Sequence, residues 1–195
     1  PVAAHLLRGF HRDALARVTN VVQRTLAGGQ YLGAIWLEGS PFVEETTYWL
    51  NLLIDTTAPI CGNSSQRPHG ALANDGDRNI VDAVSYITSR IWADENGRDC
   101  IGAVAILDEQ IFTARDVQKA DARPGGYIAT GGHGGIIGRM GHPGLPQFSF
   151  KTVKRHTYDS LVNMTVLPRE VQGSRVQSSK VVAITVPIKN DAGEL

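Results

Sequence analysis

One stretch of the sequence decides the fold, and it reads Gly33-Ala34-Ile35-Trp36-Leu37-Glu38-Gly39-Ser40-Pro41-Phe42-Val43-Glu44-Glu45-Thr46. An apolar run ends at Gly39, and Ser40 followed by Pro41 is typical of a helix start, with serine as the N-cap and proline at the first helical position. Side chains spaced for one face of a helix follow at Phe42, Thr46, Trp49 and Leu53. We therefore predict a strand, a sharp turn, and a helix from Pro41 to about Ile54.

The Ser40 hydroxyl lies at the carboxyl end of this predicted strand. In open α/β sheets, ligands bind at that edge, and a helix start offers unpaired N–H groups to an anion or an oxyanion. Two interpretations follow from the residues alone. Either Ser40 only caps the helix, or its hydroxyl also faces a ligand.

The rest of the chain alternates between helical and strand patterns. Helices are predicted at 5–26 and from 75 to about 92, a short buried strand at 58–62, and a central aliphatic strand at 101–107. We predict an α/β fold with a mostly parallel sheet flanked by helices. The apolar face of the helix after residue 75 is predicted to carry Ile80, Val81, Val84, Ile87 and Ile91.

The C-terminal third of the chain has a different pattern. Residues 124–144 contain nine glycines, and we predict a glycine-rich loop region with a small hairpin there. Short strands are predicted near 111–117, at 147–154 and at 180–187, the last of them after a polar linker.

Composition and charge limit the kinds of binding partner and the cellular location that the sequence supports. Lysine and arginine together number 19, as do aspartate and glutamate, so charge gives no support for binding nucleic acid or an anionic membrane. The longest apolar runs are only strand-sized, and no targeting segment is visible, which favours the cytoplasm. Two cysteines, Cys61 and Cys100, provide neither a disulfide framework nor a zinc site.

Common catalytic motifs do not fit the sequence. The glycine cluster at 131–138 has Ile137 where a dinucleotide-binding loop needs its last glycine, and Ser40 lacks the Gly-x-Ser-x-Gly context. No histidine spacing points to Ser40 or to a metal site. Lys119 is a candidate partner, because a lysine in a desolvated site can act as base for a hydroxyl nucleophile. A solvated surface charge is its alternative role.

Three segments together resemble a known family. Residues 39–50 are similar to the motif Gly-Thr-Asp-Thr-x-Glu-Glu-Thr-Ala-x-x-Leu. Residues 66–68 and 74–84 are similar to Arg-Pro followed by Ser-x-Asp-Gly-x-x-Asn-x-x-x-Ala-Val. Residues 115–119 are similar to Arg-x-Val-x-Lys. These are signatures of the bacterial asparaginase/glutaminase family. They occur in the family's order over roughly residues 15–168.

The resemblance implies hydrolysis of a side-chain amide through a covalent acyl intermediate, with no metal and no cofactor. Position by position, Ser40 replaces the threonine of the Gly-Thr-Asp motif and Lys119 matches the motif lysine, so these two are the expected catalytic residues. Ser40 is expected to be the nucleophile or a hydroxyl relay. Backbone N–H groups near it are expected to stabilise the oxyanion.

The same resemblance places the substrate-binding residues. Gly39 and Pro41 belong to the motif turn, Ser65 falls where the family's loop lines the pocket, and Asp75 matches an aspartate that helps to order that region. Pro41 is a departure, because the family has there the aspartate that holds the substrate's α-ammonium group, and proline has neither charge nor N–H. We therefore expect a small-molecule amide other than free asparagine, such as a lactam, an imide or an N-substituted amide.

Two parts of the family are without a counterpart in the sequence. The family's opening strand with Thr-Gly-Gly-Thr and the first nucleophile has no match before His5, and the small C-terminal domain has none after Leu195. We expect residues 1–170 to form the larger α/β domain without its first strand, and 171–195 a linker and the start of the next strand or domain. Family members build each site between two subunits, so a homo-oligomer or a complementing chain is expected.

Two functions are consistent with these residues. The first is an asparaginase-like amidohydrolase, or a subunit of one, which the retention of Ser40 and Lys119 favours. The alternative is a non-catalytic binding or structural subunit with the same fold, which Pro41 and the missing first nucleophile favour.

Overall fold

The computed structural model describes residues 12–130 and 135–152. Its elements, in chain order, are α1 (Arg12–Ala27), β1 (Ala34–Leu37), α2 (Val43–Leu53), β2 (Ile60–Asn63), α3 (Gly76–Ser89), β3 (Val104–Leu107), β4 (Gln110–Thr113), β5 (Val117–Lys119), β6 (Tyr127–Ala129), β7 (Ile136–Met140) and β8 (Pro146–Phe148).

Six strands form one mixed sheet in the order β1-β2-β3-β4-β7-β8. The first three are parallel, as expected for strands joined through helices, and the last three are added antiparallel. Strands β5 and β6 pair with each other as a separate antiparallel ribbon. The α/β class with helices flanking the sheet is therefore confirmed, and the parallel order applies to the half that carries β1 and β2.

Helices cover both faces of the sheet. Leu26 of α1 and Leu50 of α2 pack with Ile60 on one face, whereas Tyr86 of α3 packs with Cys61 on the other. All four residues of β3 are buried, as predicted for a central strand enclosed on both faces. The β5–β6 ribbon adds a third cluster, in which Tyr127 and Val117 join the first residue of α2, Val43.

The buried face of α3 differs from the prediction. Ile80, Val81 and Val84 are exposed, and the buried residues of this helix are Asn79, Asp82, Ala83, Tyr86 and Ile87. The apolar periodicity was misleading because the two polar side chains have partners. Asn79 bonds main-chain groups of two loops, and Asp82 pairs with Arg78.

The glycine-rich stretch contains more strand than predicted. It supplies β6 and β7, which pair with β5 and with β4 and β8 respectively, so a small hairpin within the stretch is not confirmed. Residues 131–134, the predicted strand at 180–187 and the domain boundary at 170 lie outside the described residues. In the part that is described, no helix is both long and apolar enough to span a bilayer.

Close packing of α2 against β2 depends on Gly62. A Cβ at Gly62 would overlap the Thr47 side chain of α2, whose hydroxyl in turn donates to Val43 O at 2.6 Å. The absence of a side chain thus lets the helix approach the strand. Because the site loops leave from β2 and enter α2, this contact also determines their spacing.

We predict that Gly62→Ala destabilises the fold by about 1–3 kcal/mol, the usual cost of overpacking a core. The measurement is urea-induced unfolding. Gly28→Ala is the matched control, since its Cβ would meet only Thr25 O at an ordinary 3.7 Å. Equal stability of the two variants would contradict the proposed role of Gly62.

Candidate active site

The turn between β1 and α2 places Ser40 differently from the prediction. The Phe42 N–H donates to Gly39 O at 3.1 Å, and α2 begins at Val43 with Phe42 as its N-cap and no side-chain cap bond. The predicted helix start at Ser40 and Pro41 is therefore wrong by two residues. Ser40 and Pro41 are instead the two central residues of a turn that runs from Gly39 to Phe42.

The Ser40 hydroxyl instead meets Lys119. The Lys119 ammonium donates to Ser40 Oγ at 2.7 Å, and the main-chain N–H of Lys119 donates to the Glu44 carboxylate. Lys119 is the last residue of β5 and is half-buried, and the bond to Oγ connects its ammonium to the Ser40 turn. The structure thus brings together the two expected catalytic side chains, from segments 79 residues apart.

Two further residues surround Ser40 that sequence reasoning missed. The Tyr127 hydroxyl donates to Ser40 O at 2.9 Å and lies 2.9 Å from the Ser64 hydroxyl. Tyr127 belongs to β6, directly opposite Lys119 in the β5–β6 register. Burial raises the pKa of Tyr127 to about 12, so the phenol keeps its proton near neutral pH. No local pattern in the sequence marks this tyrosine.

The loop after β2 lies at the same edge of the sheet as the Ser40 turn. Leu37 pairs with Asn63 in the β1–β2 register, and the Glu38 N–H donates to Asn63 O at 3.1 Å. The two chain segments leave the sheet side by side. Ser64 then connects this loop to the Ser40 turn through Tyr127.

Asp75 orders this loop and does not cap α3. Its carboxylate accepts the N–H groups of Gln66 at 2.9 Å and Arg67 at 2.9 Å, and it makes no cap bond to its own helix. Ser65 packs against Gly76, where an added Cβ would come within 2.9 Å of the Ser65 Cβ. Among the described residues, neither Asp75 nor Ser65 hydrogen-bonds Ser40 directly.

Asn79 supports the loop from below. Its amide donates to Ser64 O at 2.8 Å, and its carbonyl oxygen accepts the Asp108 N–H at 2.9 Å. Gln66 adds a contact to the segment after β5 by donating to Asp121 O at 3.1 Å. The loop is therefore held by α3, by the β3–β4 turn and by the residues that follow Lys119.

These features define an α/β protein that holds a lysine-paired hydroxyl at the carboxyl end of a parallel strand. The family model described as "Asparaginase, N-terminal" matches residues 10–136. The chain belongs to the asparaginase family and corresponds to part of the N-terminal domain of its members.

Individual relatives agree with this assignment. The chain is 29% identical over 151 residues to a glutaminase-asparaginase of Acinetobacter glutaminasificans, a match covering 77% of this chain and 41% of that protein. It is 33% identical over 108 residues to an L-asparaginase of Bacillus licheniformis, covering 55% and 32%.

A solved structure, entitled a probable cytoplasmic L-asparaginase from Campylobacter jejuni, superimposes with a TM-score of 0.69 at 22% identity. That match covers 82% of this chain and 46% of the other. The chain spans less than half the length of each of these three proteins.

The environment of Glu44 predicts a dependence of stability on pH. Burial raises the pKa of the Glu44 carboxyl above its ordinary value of 4.5, although the Lys119 N–H bond opposes the shift. The folded protein therefore holds this proton more tightly than the unfolded chain. The resulting stability is present below pH 4.5 and is lost as the pH rises through the raised folded-state pKa.

We predict that Glu44→Gln, which keeps an oxygen acceptor without the charge, has a slightly higher Tm than the wild type at pH 7 and an equal Tm at pH 4. The measurement is thermal unfolding at both pH values. Glu95→Gln removes a charge from an exposed turn and serves as control. A Glu44→Gln variant less stable than wild type at pH 7 would refute the assignment.

Proposed function

We propose that the protein is an asparaginase-like amidohydrolase, or a subunit of one, that hydrolyses the amide C–N bond of a small molecule. The 2.7 Å contact from Lys119 Nζ to Ser40 Oγ carries this proposal. A hydroxyl is a weak nucleophile by itself and needs a base within hydrogen-bond reach. Family membership supports the reaction type.

The chemistry proceeds in two halves. In the form with a lone pair on Nζ, Lys119 takes the Ser40 proton while Oγ attacks the amide carbon, and it then returns a proton to the departing nitrogen. Ammonia or an amine leaves, and an acyl ester remains on Ser40. Water, deprotonated by the same lysine, then releases the carboxylic acid and restores the hydroxyl.

Few main-chain N–H groups of this turn can stabilise the oxyanion. Pro41 has no N–H, and the Phe42 N–H already donates to Gly39 O. The Ser40 N–H is a donor that remains in the turn beside the nucleophile. We propose that the remaining donors come from the loop after β2 or from a further chain segment.

Pro41 supports a substrate without a free α-ammonium group. The asparaginase signature has an aspartate at this position that pairs with the ammonium, whereas Pro41 is exposed and carries no charge. A buried ammonium without a partner costs several kcal/mol. A lactam, an imide or an N-substituted amide avoids that cost.

We propose that the working enzyme includes more than one chain or segment. The relatives are more than twice as long as their matched regions. The resemblance to the family also implies that each site is built between two subunits. A homo-oligomer or a complementing chain would supply the remaining groups. The cytoplasmic location stays a prediction.

A non-catalytic binding subunit is the second candidate, and Pro41 is the observation that favours it. A relative that no longer catalyses the reaction would also lack the contact to the substrate's ammonium group. The persistence of the Ser40–Lys119 pair weighs against this candidate, because a protein that only binds has no need of a base at its hydroxyl.

Substitutions at the pair test the enzyme against the binding subunit. We predict that Ser40→Ala and Lys119→Arg each lower ammonia release from an amide panel by at least about a hundredfold with little change in Tm. Arginine keeps the positive charge but cannot act as a base. Lys151→Ala, at an exposed lysine, is the control. Full activity in either variant would refute the roles proposed here.

A matched substrate pair tests the role of Pro41. Succinamic acid is asparagine without its amino group, and we predict that the wild type hydrolyses it with a higher kcat/KM than L-asparagine. Pro41→Asp should reverse this preference by about tenfold or more, since it restores a charge partner for the ammonium. Faster hydrolysis of L-asparagine by the wild type would contradict the substrate proposal.

A further inference from the structure

We propose that Tyr127 is a positioning residue that holds the main chain of Ser40. The β5–β6 ribbon then hydrogen-bonds the nucleophile at two points, its side chain and its carbonyl. This inference rests on the proposed function of Ser40 as nucleophile. Lys119 holds the Ser40 side chain at Oγ, 2.7 Å away, and Tyr127 holds the Ser40 carbonyl at 2.9 Å. The cross-strand pair of Lys119 and Tyr127 therefore fixes both the side chain and the main chain of Ser40.

The register of the ribbon accounts for this arrangement. Lys119 and Tyr127 are direct partners in the antiparallel β5–β6 pair, and directly opposed side chains lie on the same face. Tyr127 is buried with Val43 and Val117, which holds its ring in place under the start of α2. The Glu44 carboxylate accepts the Lys119 N–H and secures the ribbon to α2 independently.

The direction of the hydrogen bonds follows from the chemistry of the groups. A carbonyl oxygen can only accept, so the single proton of Tyr127 points to Ser40 O. Ser64 must then donate its hydroxyl proton to the Tyr127 oxygen. The order Ser64 to Tyr127 to Ser40 is fixed, and the main chain of Ser64 is anchored in turn by Asn79.

The Ser40 turn needs such support because its own sequence provides little. Pro41 removes an N–H from the turn, and α2 begins only at Val43, so helical hydrogen bonds do not restrain Ser40. Without Tyr127 the Ser40 carbonyl would lose its donor, and Oγ could move away from Lys119. A displacement of about 1 Å at a reacting atom is enough to slow a reaction severely.

A selective isotope label can observe this contact directly. Ser40–Pro41 is the single serine–proline step in the 195 residues. With [1-¹³C]serine and [¹⁵N]proline, the Ser40 carbonyl resonance is therefore the one split by carbon–nitrogen coupling. We expect Tyr127→Phe to move this resonance upfield, as a carbonyl does when it loses a hydrogen bond. Tyr31→Phe, at a tyrosine that is 57% exposed, is the matched control and should leave it unchanged.

Reactivity is measured in the same variants with 4-nitrophenyl acetate, and acetylation of Ser40 is located by peptide mapping. Tyr127→Phe should slow acetylation of Ser40 by about ten- to a hundredfold, because the Ser40 carbonyl loses this donor and Oγ can then move away from Lys119. Ser64→Ala leaves the tyrosine in place and should slow the acetylation of Ser40 less than Tyr127→Phe does. It is the variant that tests the positioning role if Tyr127→Phe does not fold. Rescue by Ser64→Thr, which restores a hydroxyl, is expected.

The two readouts separate this inference from the proposed function. An unchanged Ser40 carbonyl resonance in Tyr127→Phe, or an unchanged acetylation rate, overturns the positioning role. If both change as expected but the wild type hydrolyses no amide, the positioning role stands and the amidohydrolase proposal fails.

Discussion

The hydrogen bond from Lys119 Nζ to Ser40 Oγ joins two segments that are 79 residues apart, and the geometry of the site depends on it. Ser40 lies in the turn after β1, and Lys119 ends β5, which belongs to a separate ribbon. A contact between such distant segments requires that the sheet, α2 and the ribbon all have fixed positions. The three buried clusters of the fold supply that rigidity, and the third packs the ribbon directly against α2.

Pro41 is the residue that most distinguishes this site from the family signature. It shapes the turn and removes both a charge and an N–H from the place where the signature carries an aspartate. Around this turn, Asp75 orders the loop after β2 and Asn79 supports Ser64. The proposed change in the recognition of the substrate's ammonium group, with the proposed nucleophile Ser40 and base Lys119 kept, would account for this combination.

Much of the architecture could be predicted from the sequence, but the supporting contacts could not. The continuous aliphatic run of β3 and the strand-turn-helix pattern around Ser40 predicted the parallel half of the sheet. The buried face of α3 was missed because a periodicity of apolar residues cannot register polar side chains that have partners, such as Asn79. The helix cap was misplaced because Ser40 and Pro41 form a turn ahead of the helix, and a serine–proline pair does not show how many turn residues follow it.

The site residues likewise divide into those that the sequence predicted and those that only the structure shows. Lys119 was a candidate base with a surface charge as its alternative until the resemblance of motifs favoured it, since a lysine beside arginine and aspartate has no decisive local signal of its own. Tyr127 was missed because its role arises from the register of β5 with β6, which short strands in a glycine-rich segment do not specify in advance.

The most direct test of the account is to identify the acyl-enzyme. The protein would be incubated with succinamic acid, quenched in acid during turnover and mapped by peptide mass spectrometry. We predict a succinyl ester on Ser40 that is absent in Lys119→Arg. Release of ammonia while Ser40 remains unmodified, or a succinyl ester on a different hydroxyl, would contradict it.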